Sequence, residues 1–382
     1  MTDGVPEKFP DDGDQAPDSR LLLRGIEDVG LNDNNMHPSN RWTANQAQDW
    51  YAQQPWPVGF NYIPSTAVNQ LEMWQADTFD PETIDRELGW ARDLGFNTAR
   101  VFLHDLLWEH DQTAFVERVN HFLRIADRHG ISIMFVTFDG VWDPFPKLGS
   151  QAEPREHIHN SRWVQSPGAE LLSDPTQHDR LADYVQGIIE HFRDDSRVLA
   201  WDLFNEPDNP NPAYAGKEPP NKSARAASLL RKAFTWARAS TPEQPITAGV
   251  WLGQVRGSLS EINELMLTES DVITFHSYLD ADRVERRIRD LQEYDRPILL
   301  TEFMSRSSGS TFETMLPLLK ELKVGAYCWG LVAGKTQTNY PWDSWIRPYS
   351  AEPDPWFHDI LRLDGTPYRD SEVTSIRRVI GG

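Results

Sequence analysis

The stretch Val198-Leu-Ala-Trp-Asp-Leu-Phe-Asn-Glu-Pro207 decides the fold of this chain. A mostly apolar run with the character of a buried β-strand ends abruptly at an amide, a carboxylate and a proline. Parallel α/β folds place their functional groups at the carboxyl ends of strands, so the pattern predicts an ionisable side chain, Glu206, at such an end. A second run, Pro297-Ile-Leu-Leu-Thr-Glu302-Phe303, ends in another glutamate and predicts a second acid at the same edge.

Short apolar runs alternate with amphipathic segments through the rest of the chain. The predicted strands are Val58–Asn61, Thr98–Leu103, Ile131–Phe138, Val198–Phe204, Ile246–Trp251, Val272–Tyr278, Ile298–Phe303 and Ala326–Val332. The predicted helices are 81–94, 112–129, 177–193, 223–239, 259–268, 281–293, 311–322 and about 370–380. Their boundaries carry helix signals, such as the cap residue and proline of Asp80-Pro81 and the glycines Gly95 and Gly130 after two helices.

Eight strands that alternate with eight helices predict an α/β fold, a (β/α)8 TIM barrel with long βα loops. A doubly wound sheet is the alternative, but it would need a glycine-rich phosphate loop after its first strand, and Gly59-Phe60-Asn61-Tyr62 is not one. We expect residues 1–20, rich in Asp, Pro and Gly, to form a disordered arm, and residues 21–382 to form the single barrel domain.

The overall composition excludes several classes of partner. A net charge of −21 and a pI near 4.9 argue against nucleic acid and anionic membrane surfaces. The single cysteine, Cys328, excludes an internal disulfide framework and suits a reducing compartment. With no secretory signal visible at the start of the sequence, we expect a cytoplasmic location.

Aromatic residues and long loops indicate a cleft that binds sugar. Flat aromatic rings stack on the C–H faces of sugars, and many of the 15 tryptophans fall in predicted loops. The aromatic residues considered for such a cleft are Trp50, Tyr51, Trp56, Trp142, Trp163, Trp342, Trp345 and Trp356. Three long βα connections, 61–80, 139–176 and roughly 333–369, leave strand carboxyl ends and would therefore wall one face of the barrel.

Polar side chains recur at the predicted strand ends. Arg100 lies within the second strand, where a guanidinium needs a carboxylate partner. The other members of this polar ring are Asp139, Asn205, Glu206, His276, Tyr278, Glu302 and Trp329. A metal-dependent hydrolase on the same barrel would need His-x-His on strand one, and His157-Ile-His159 lies in a loop instead, so we expect no metal and no cofactor.

These residues resemble the clan A glycoside hydrolases, and most closely glycoside hydrolase family 5, the cellulase-like group, over about residues 56–380. The most specific parts are Asn205-Glu206-Pro207 and Glu302, supported by Arg100, His276-x-Tyr278 and Trp329. The resemblance implies that Glu206 is the general acid/base and Glu302 the nucleophile of a retaining double displacement.

The resemblance also implies roles for the remaining members of the ring. Arg100 and Tyr278 would keep Glu302 charged, His276 would neighbour Glu206, Asn205 would bind the sugar 2-hydroxyl, and Trp329 would be the floor under the sugar. Members of the family usually place a histidine at the end of strand three, where this chain has Asp139. Asp139, or His104 from strand two, would contact the same sugar hydroxyls instead.

The sequence therefore predicts a retaining β-glycoside hydrolase with a carbohydrate substrate. The long loops, which could close one end of the cleft, favour an exo-acting enzyme or one that acts on short oligosaccharides. An endo-acting β-glycanase of the cellulase, mannanase or xylanase kind is the alternative. A non-catalytic sugar-binding barrel would be expected to lose one of the two carboxylates, and both are present.

Overall fold

The computed structural model describes residues 40–381, and the predicted arm at residues 1–20 lies outside them. Eight parallel strands form one sheet in the order β5-β4-β3-β2-β1-β8-β7-β6. They are β1 (Val58–Tyr62), β2 (Thr98–Phe102), β3 (Ser132–Asp139), β4 (Val198–Asn205), β5 (Ile246–Thr247), β6 (Ile273–His276), β7 (Ile298–Phe303) and β8 (Gly325–Trp329). A parallel bridge between Val250 and Phe275 joins the two ends of the sheet. The predicted (β/α)8 barrel is confirmed.

The helices surround this barrel. They are α1 (Ala44–Ala52), α2 (Gln70–Trp74), α3 (Pro81–Leu94), α4 (Asp105–Arg128), α5 (Ala169–Ser173), α6 (His178–Phe192), α7 (Lys222–Ala239), α8 (Glu261–Glu269), α9 (Ala281–Leu291), α10 (Phe312–Glu321) and α11 (Asp370–Gly381). The three additional helices, α1, α2 and α5, are short, and the sequence pattern did not predict them. At α3 the local signals act as predicted, because the Asp80 side chain accepts a hydrogen bond from the Thr83 amide and Gly95 adopts φ 98°.

Helix α4 begins seven residues earlier than predicted. His104 caps its start by accepting a hydrogen bond from the Leu106 amide through Nδ1. The helix is kinked at Asp111, which has φ −159° and caps a second segment through the Ala114 amide. The predicted start at residue 112 therefore corresponds to this second segment, since an Asp before an amphipathic run is a typical N-terminal signal.

Four strands, β2, β5, β6 and β8, are shorter than predicted, and the reason is visible at β5 and β8. Strand β5 contains only Ile246 and Thr247, because the next amide, that of Ala248, bonds to the Ser270 hydroxyl instead of to the sheet. Strand β8 ends at Trp329 because Gly330, with φ 79°, turns the chain away. A side chain could not be accommodated at that position, since a Cβ would lie 2.2 Å from Asp359 Oδ1.

The two ends of the barrel differ in character. At the amino-terminal ends of the strands, α1 covers a small apolar cluster that includes Met134, Leu299 and Tyr327. At the opposite ends lie the three long connections, between β1 and α3, β3 and α6, and β8 and α11. Within residues 40–381, no helix combines the length and apolarity that a membrane crossing requires.

Candidate active site

The Arg100 guanidinium organises the carboxyl end of the barrel. It is completely buried and donates from Nε and Nη2 to Asp202 Oδ2, at 3.0 and 2.8 Å. Its remaining hydrogen bonds reach Asn61 Oδ1 at 2.9 Å, Glu302 Oε1 at 2.9 Å and Asn205 Oδ1 at 2.8 Å. Burial alone would lower the pKa of Arg100, but the charges of Asp202 and Glu302 raise it, so the cation persists.

Glu302 is the penultimate residue of β7 and is held by two donors. Arg100 donates to Oε1, and the Tyr278 hydroxyl donates to Oε2 at 2.7 Å. Burial raises the pKa of Tyr278 well above 10, so the phenol keeps its proton and donates. Burial also raises the pKa of Glu302, assisted by the nearby charge of Glu206 and opposed by Arg100 and Tyr278. The two donors orient the carboxylate as an attacking group.

Glu206 follows the last residue of β4 in a strained conformation. Its φ is 41°, a value that residues with a side chain rarely adopt. The turn lies against Gly140, where a Cβ would approach the Glu206 carbonyl oxygen to 2.5 Å. Oε1 of Glu206 is 2.8 Å from His276 Nδ1, and Oε2 accepts a hydrogen bond from Asn209 Nδ2 at 2.7 Å. The turn thus directs the Glu206 carboxyl group into the cleft. His276 contacts its Oε1 from the barrel, and Asn209 contacts its Oε2 from the loop after β4.

His276 lies between the two glutamates. Its Nδ1 is 2.8 Å from Glu206 and 3.6 Å from Glu302, and burial lowers the pKa of the ring to about 4. The imidazole is therefore neutral near pH 7, and because an ionised Glu206 can only accept, Nδ1 carries the ring proton and donates to Oε1 whenever Glu206 is ionised.

The two carboxyl groups are close enough for a retaining reaction. One carboxylate oxygen of Glu206, one of Glu302 and one ring nitrogen of His276 all lie within 4.8 Å of one another. Retaining glycosidases hold their carboxyl groups about 5–5.5 Å apart, whereas inverting ones need about 6.5–9.5 Å to admit a water molecule. The three groups also satisfy the spacing of a metal site, but their hydrogen bonds to each other and to Arg100, Tyr278 and Asn209 already account for the arrangement.

The two acids open into a cleft of about 730 Å³. It is lined by Val141, Trp142, His159, Asn160, Trp163, Asn205, Glu206, Asn209, Pro210, Asn211, Pro212, Trp251, Tyr278, Glu302, Trp329, Trp342 and His358. Of the aromatic residues considered from the sequence, Trp142, Trp163 and Trp342 line this cleft, and Trp345 stacks on Trp142 with ring centroids 5.1 Å apart.

The other aromatic residues that were considered lie elsewhere. Trp50 and Tyr51 belong to α1 and its apolar cluster at the opposite end of the barrel. Trp56 donates to the Val324 carbonyl at 2.7 Å, and Trp356 stacks on Tyr368. For these four residues the proposed sugar contact is wrong, since each packs within the protein.

Two residues predicted to contact sugar hydroxyls lie behind the cleft lining. Both carboxylate oxygens of Asp139 accept hydrogen bonds from protein donors, and its side chain is 1% exposed. His104 is fully buried and uses Nδ1 to cap α4. The structure therefore places neither side chain in the lining of the cleft, and their contacts with sugar hydroxyls stay predictions. Arg100 and His276 are also buried, but they contact the two glutamates directly.

Several residues of the site were missed from the sequence. Asp202 lies within the opening stretch and is the buried partner that Arg100 required, so its charge in an apolar strand was the available signal. Asn209, three residues after Glu206, could have been found by its position in the same turn. His159, His358 and Asn211 come from irregular loops, where no sequence period indicates which way a side chain faces.

Comparisons with known proteins agree with this geometry. The sequence profile of "Cellulase (glycosyl hydrolase family 5)" matches residues 65–334, whereas a search of curated proteins finds no match. Among solved structures, exo-β-1,4-mannosidase Op5Man5 from Opitutaceae bacterium strain TAV5 is similar, with 19% identity and a TM-score of 0.56. The match covers 85% of this chain but only 59% of that protein.

Two further structures are similar in fold. They are GH5_18 from Streptomyces cattleya in complex with Manβ1-4GlcNAc (15% identity, TM-score 0.55, covering 85% of this chain and 79% of that one) and the endo-β-1,4-mannanase from Thermotoga petrophila (15% identity, TM-score 0.54, covering 85% and 76%). At these identities the likeness supports the fold alone. Because the profile match covers more than half of the 382 residues, the chain belongs to glycoside hydrolase family 5 and is a retaining hydrolase of O-glycosyl bonds.

Proposed function

We propose that this protein is an exo-acting β-glycosidase that removes one sugar at a time from short β-linked oligosaccharides. The observation that supports exo action is the contact between the loops after β3 and β8. The Asn160 amide donates to the Thr336 carbonyl at 2.7 Å, and the His157 amide donates to Gln337 Oε1 at 2.7 Å. Trp345 Nε1 completes the contact with a 2.8 Å bond to the carbonyl of His159.

The loop after β1 joins the same wall. The Lys335 amide donates to the Ser65 carbonyl at 3.0 Å, and Gln70 Nε2 donates to the Val164 carbonyl at 3.0 Å. Three loops thus interlock above β1 and its neighbours, on the side of the cleft bounded by Trp329. A polymer chain that runs through the cleft would have to displace these contacts, whereas the end of a short chain can enter without doing so.

The opposite side of the cleft is formed by the segment after Glu206 and by Trp251. Glu206 would deliver its proton there, to the oxygen of the departing group, while Glu302 attacks the anomeric carbon. The resulting covalent glycosyl-enzyme would then be hydrolysed by a water molecule that Glu206 deprotonates. The neutral His276 can donate to Glu206 in both of its protonation states and so keeps the acid in place through the cycle.

β-Mannosides are the first substrates to test. Two of the similar structures act on β-1,4-linked mannose according to their names, and a third holds Manβ1-4GlcNAc. The proposal includes a cytoplasmic location, which was expected from the single cysteine. An enzyme there would act on imported oligosaccharides, and these are short. Cys328 itself is buried in β8.

The direct test is the product pattern from manno- and cello-oligosaccharides labelled at the reducing end. Exo action would shorten labelled chains one sugar at a time and release monosaccharide from the first time point. Early labelled products of several lengths would instead support the endo-acting alternative. Trp345→Ala, which removes the wall contact, should increase internal cleavage, whereas Trp50→Ala, at the far end of the barrel, should leave the product pattern unchanged.

A further inference from the structure

Asp139 connects two parts of the active site that belong to different segments of the chain. It is the last residue of β3, and its Oδ1 accepts hydrogen bonds from Asn205 Nδ2 and the Val141 amide, both at 3.0 Å. Its Oδ2 accepts from Trp163 Nε1 at 2.6 Å and from Gln70 Nε2 at 3.1 Å. One buried carboxylate therefore holds an amide that precedes the acid/base and an indole of the cleft wall.

The bond to Asn205 determines how its amide is oriented. Asn205 Oδ1 accepts from Arg100 Nη2, and one hydrogen of Nδ2 goes to Asp139. Exchange of the oxygen and nitrogen positions would place two donors against each other at Arg100 and two acceptors at Asp139. The orientation is thus imposed from both sides, and the second hydrogen of Nδ2 remains for a ligand in the cleft, which Asn205 lines.

The bond to Trp163 determines the position of the cleft wall. The Trp163 indole contacts Phe102 and Trp329 edge to face, with ring centroids 5.2 and 6.0 Å apart. Trp163 lies in the long loop after β3, where its backbone is hydrogen-bonded to Asn160 and Asp143, and the bond to Asp139 adds an anchor for the indole ring. Its N–H has a charged acceptor in Asp139, and hydrogen bonds to a charged group are the stronger ones.

We propose that Asp139 is a positioning residue of the hydrolytic reaction, acting through Asn205 on the 2-hydroxyl of the sugar and through Trp163 on the wall beside it. Hydrogen bonds to the sugar 2-hydroxyl strengthen in the oxocarbenium-like transition state of glycosidases, so the exact orientation of the Asn205 donor affects the rate. Register supports the coupling, because Asp139 and Asn205 are paired across β3 and β4. The proposal holds for either exo or endo action, since both use the same sugar position next to Glu302.

The test compares the effect of removing Asp139 on two substrates that differ only at the 2-hydroxyl. They are the nitrophenyl β-glucoside or β-mannoside that the enzyme hydrolyses faster, and the nitrophenyl 2-deoxy-β-glycoside, which is the same compound for both sugars. For Asp139→Ala we expect kcat/KM to fall about 100-fold on the hydroxylated substrate and only about 3-fold on the 2-deoxy substrate. Asp139→Asn keeps one oxygen acceptor, and its kcat/KM on the hydroxylated substrate should lie between those of the wild type and Asp139→Ala.

Two control variants separate positioning from general damage. Glu87→Gln alters another fully buried carboxyl group, which accepts a hydrogen bond from the Tyr62 hydroxyl at 3.0 Å. This variant should change kcat/KM on both substrates by the same factor. Trp163→Phe keeps an aromatic ring but loses the N–H. It should change kcat/KM on both substrates by the same factor, because Asn205 still donates to Asp139.

Equal fold losses on the two substrates for Asp139→Ala would overturn the proposal, since a structural role does not distinguish them. A crystal structure of Asp139→Asn supplies a second readout that does not depend on turnover. We expect the Asn205 amide or the Trp163 indole to be rotated or displaced, and both side chains in their original positions would also contradict the proposal. If the unsubstituted enzyme hydrolysed no glycoside at all, the proposed function would fail instead, and the crystal structure would still decide the positioning.

Discussion

Replacing Arg100 with methionine should move the acidic limb of the pH–rate profile to higher pH. Glu302 must be ionised to attack, so activity is lost as the pH falls through the pKa of Glu302. That pKa is already raised by burial, and Arg100 is one of the groups that oppose the rise. Without the guanidinium, the pKa rises further and the loss of activity begins at a higher pH.

The size of the shift follows from the contact that is removed. Arg100 Nη1 and Glu302 Oε1 are 2.9 Å apart in a fully buried pair. A hydrogen bond between charged groups contributes about 1.5–3 kcal/mol, and one pKa unit corresponds to about 1.4 kcal/mol. The acidic limb should therefore move up by about 1–2 pH units.

Stability should fall in the same variant. Arg100→Met also leaves Asp202 buried without its cation, and breaking a buried ion pair costs about 3–5 kcal/mol. For a chain of this length we expect a decrease in Tm of roughly 3–8 °C. The shift in pH should be measured as kcat/KM on an aryl β-glycoside between pH 4 and 9, and the stability by calorimetry.

Arg238→Met provides a matched control. Arg238 forms a buried ion pair with Asp271 at 3.2 Å, near the amino-terminal ends of the strands and far from Glu302. Its loss should lower Tm by a similar amount and leave the acidic limb where it is. The argument that Arg100 keeps Glu302 ionised would be refuted if the acidic limb of Arg100→Met lay at the same pH as in the wild type or at a lower pH. An equal shift of the limb in both variants would refute it as well.

Three other predictions concern the reacting groups and the loop that supports them. Glu302→Gln removes the attacking carboxylate and should reduce kcat at least about 10⁴-fold; residual turnover near wild type would exclude Glu302 as the nucleophile. Glu206→Ala should slow the hydrolysis of glycosides with poor leaving groups far more than that of dinitrophenyl glycosides, whose leaving group needs no protonation. Added azide should restore turnover by attacking the glycosyl-enzyme, which gives a glycosyl azide with net retention. A glycosyl azide of inverted configuration would contradict the mechanism. Lys222→Met should lower stability by about 2–4 kcal/mol and raise KM, because the buried ammonium donates to the carbonyls of Gly140 and Asn209. A normal Tm and KM would show that these hydrogen bonds of Lys222 are dispensable.

The barrel and its two acids could be predicted from the sequence because they depend on local pattern. A buried parallel strand appears as an apolar run, and its carboxyl end appears as an abrupt change to polar residues, as at Asn205 and Glu302. The predicted helices lie within two residues of the observed ones, as with α3, except that the first segment of α4 was missed. Strand β5 was overestimated because an apolar sequence cannot show that the Ala248 amide bonds to the Ser270 side chain.

The role of Asp139 could not be predicted in the same way. The sequence places it at a strand end, where a residue can face the cleft or lie behind its lining, and the prediction of a sugar contact followed from that position. Its actual donors come from β4, from α2, from the loop after β3 and from a neighbouring amide. Only the assembled structure brings Trp163, Asn205 and Gln70 to one carboxylate.

The sequence by itself determined the (β/α)8 barrel, the position of Glu206 and Glu302 at its carboxyl edge, and the need of Arg100 for a carboxylate. Each of these follows from a periodic pattern or from the high cost of a buried charge. The tertiary structure alone decided that His276 bridges the two acids, that Asp139 lies behind the cleft lining, and that the loops after β3 and β8 close one side. The physical reason is that irregular loops have no period, and contacts such as that of His157 with Gln337, 180 residues apart, exist only once the barrel has brought them together.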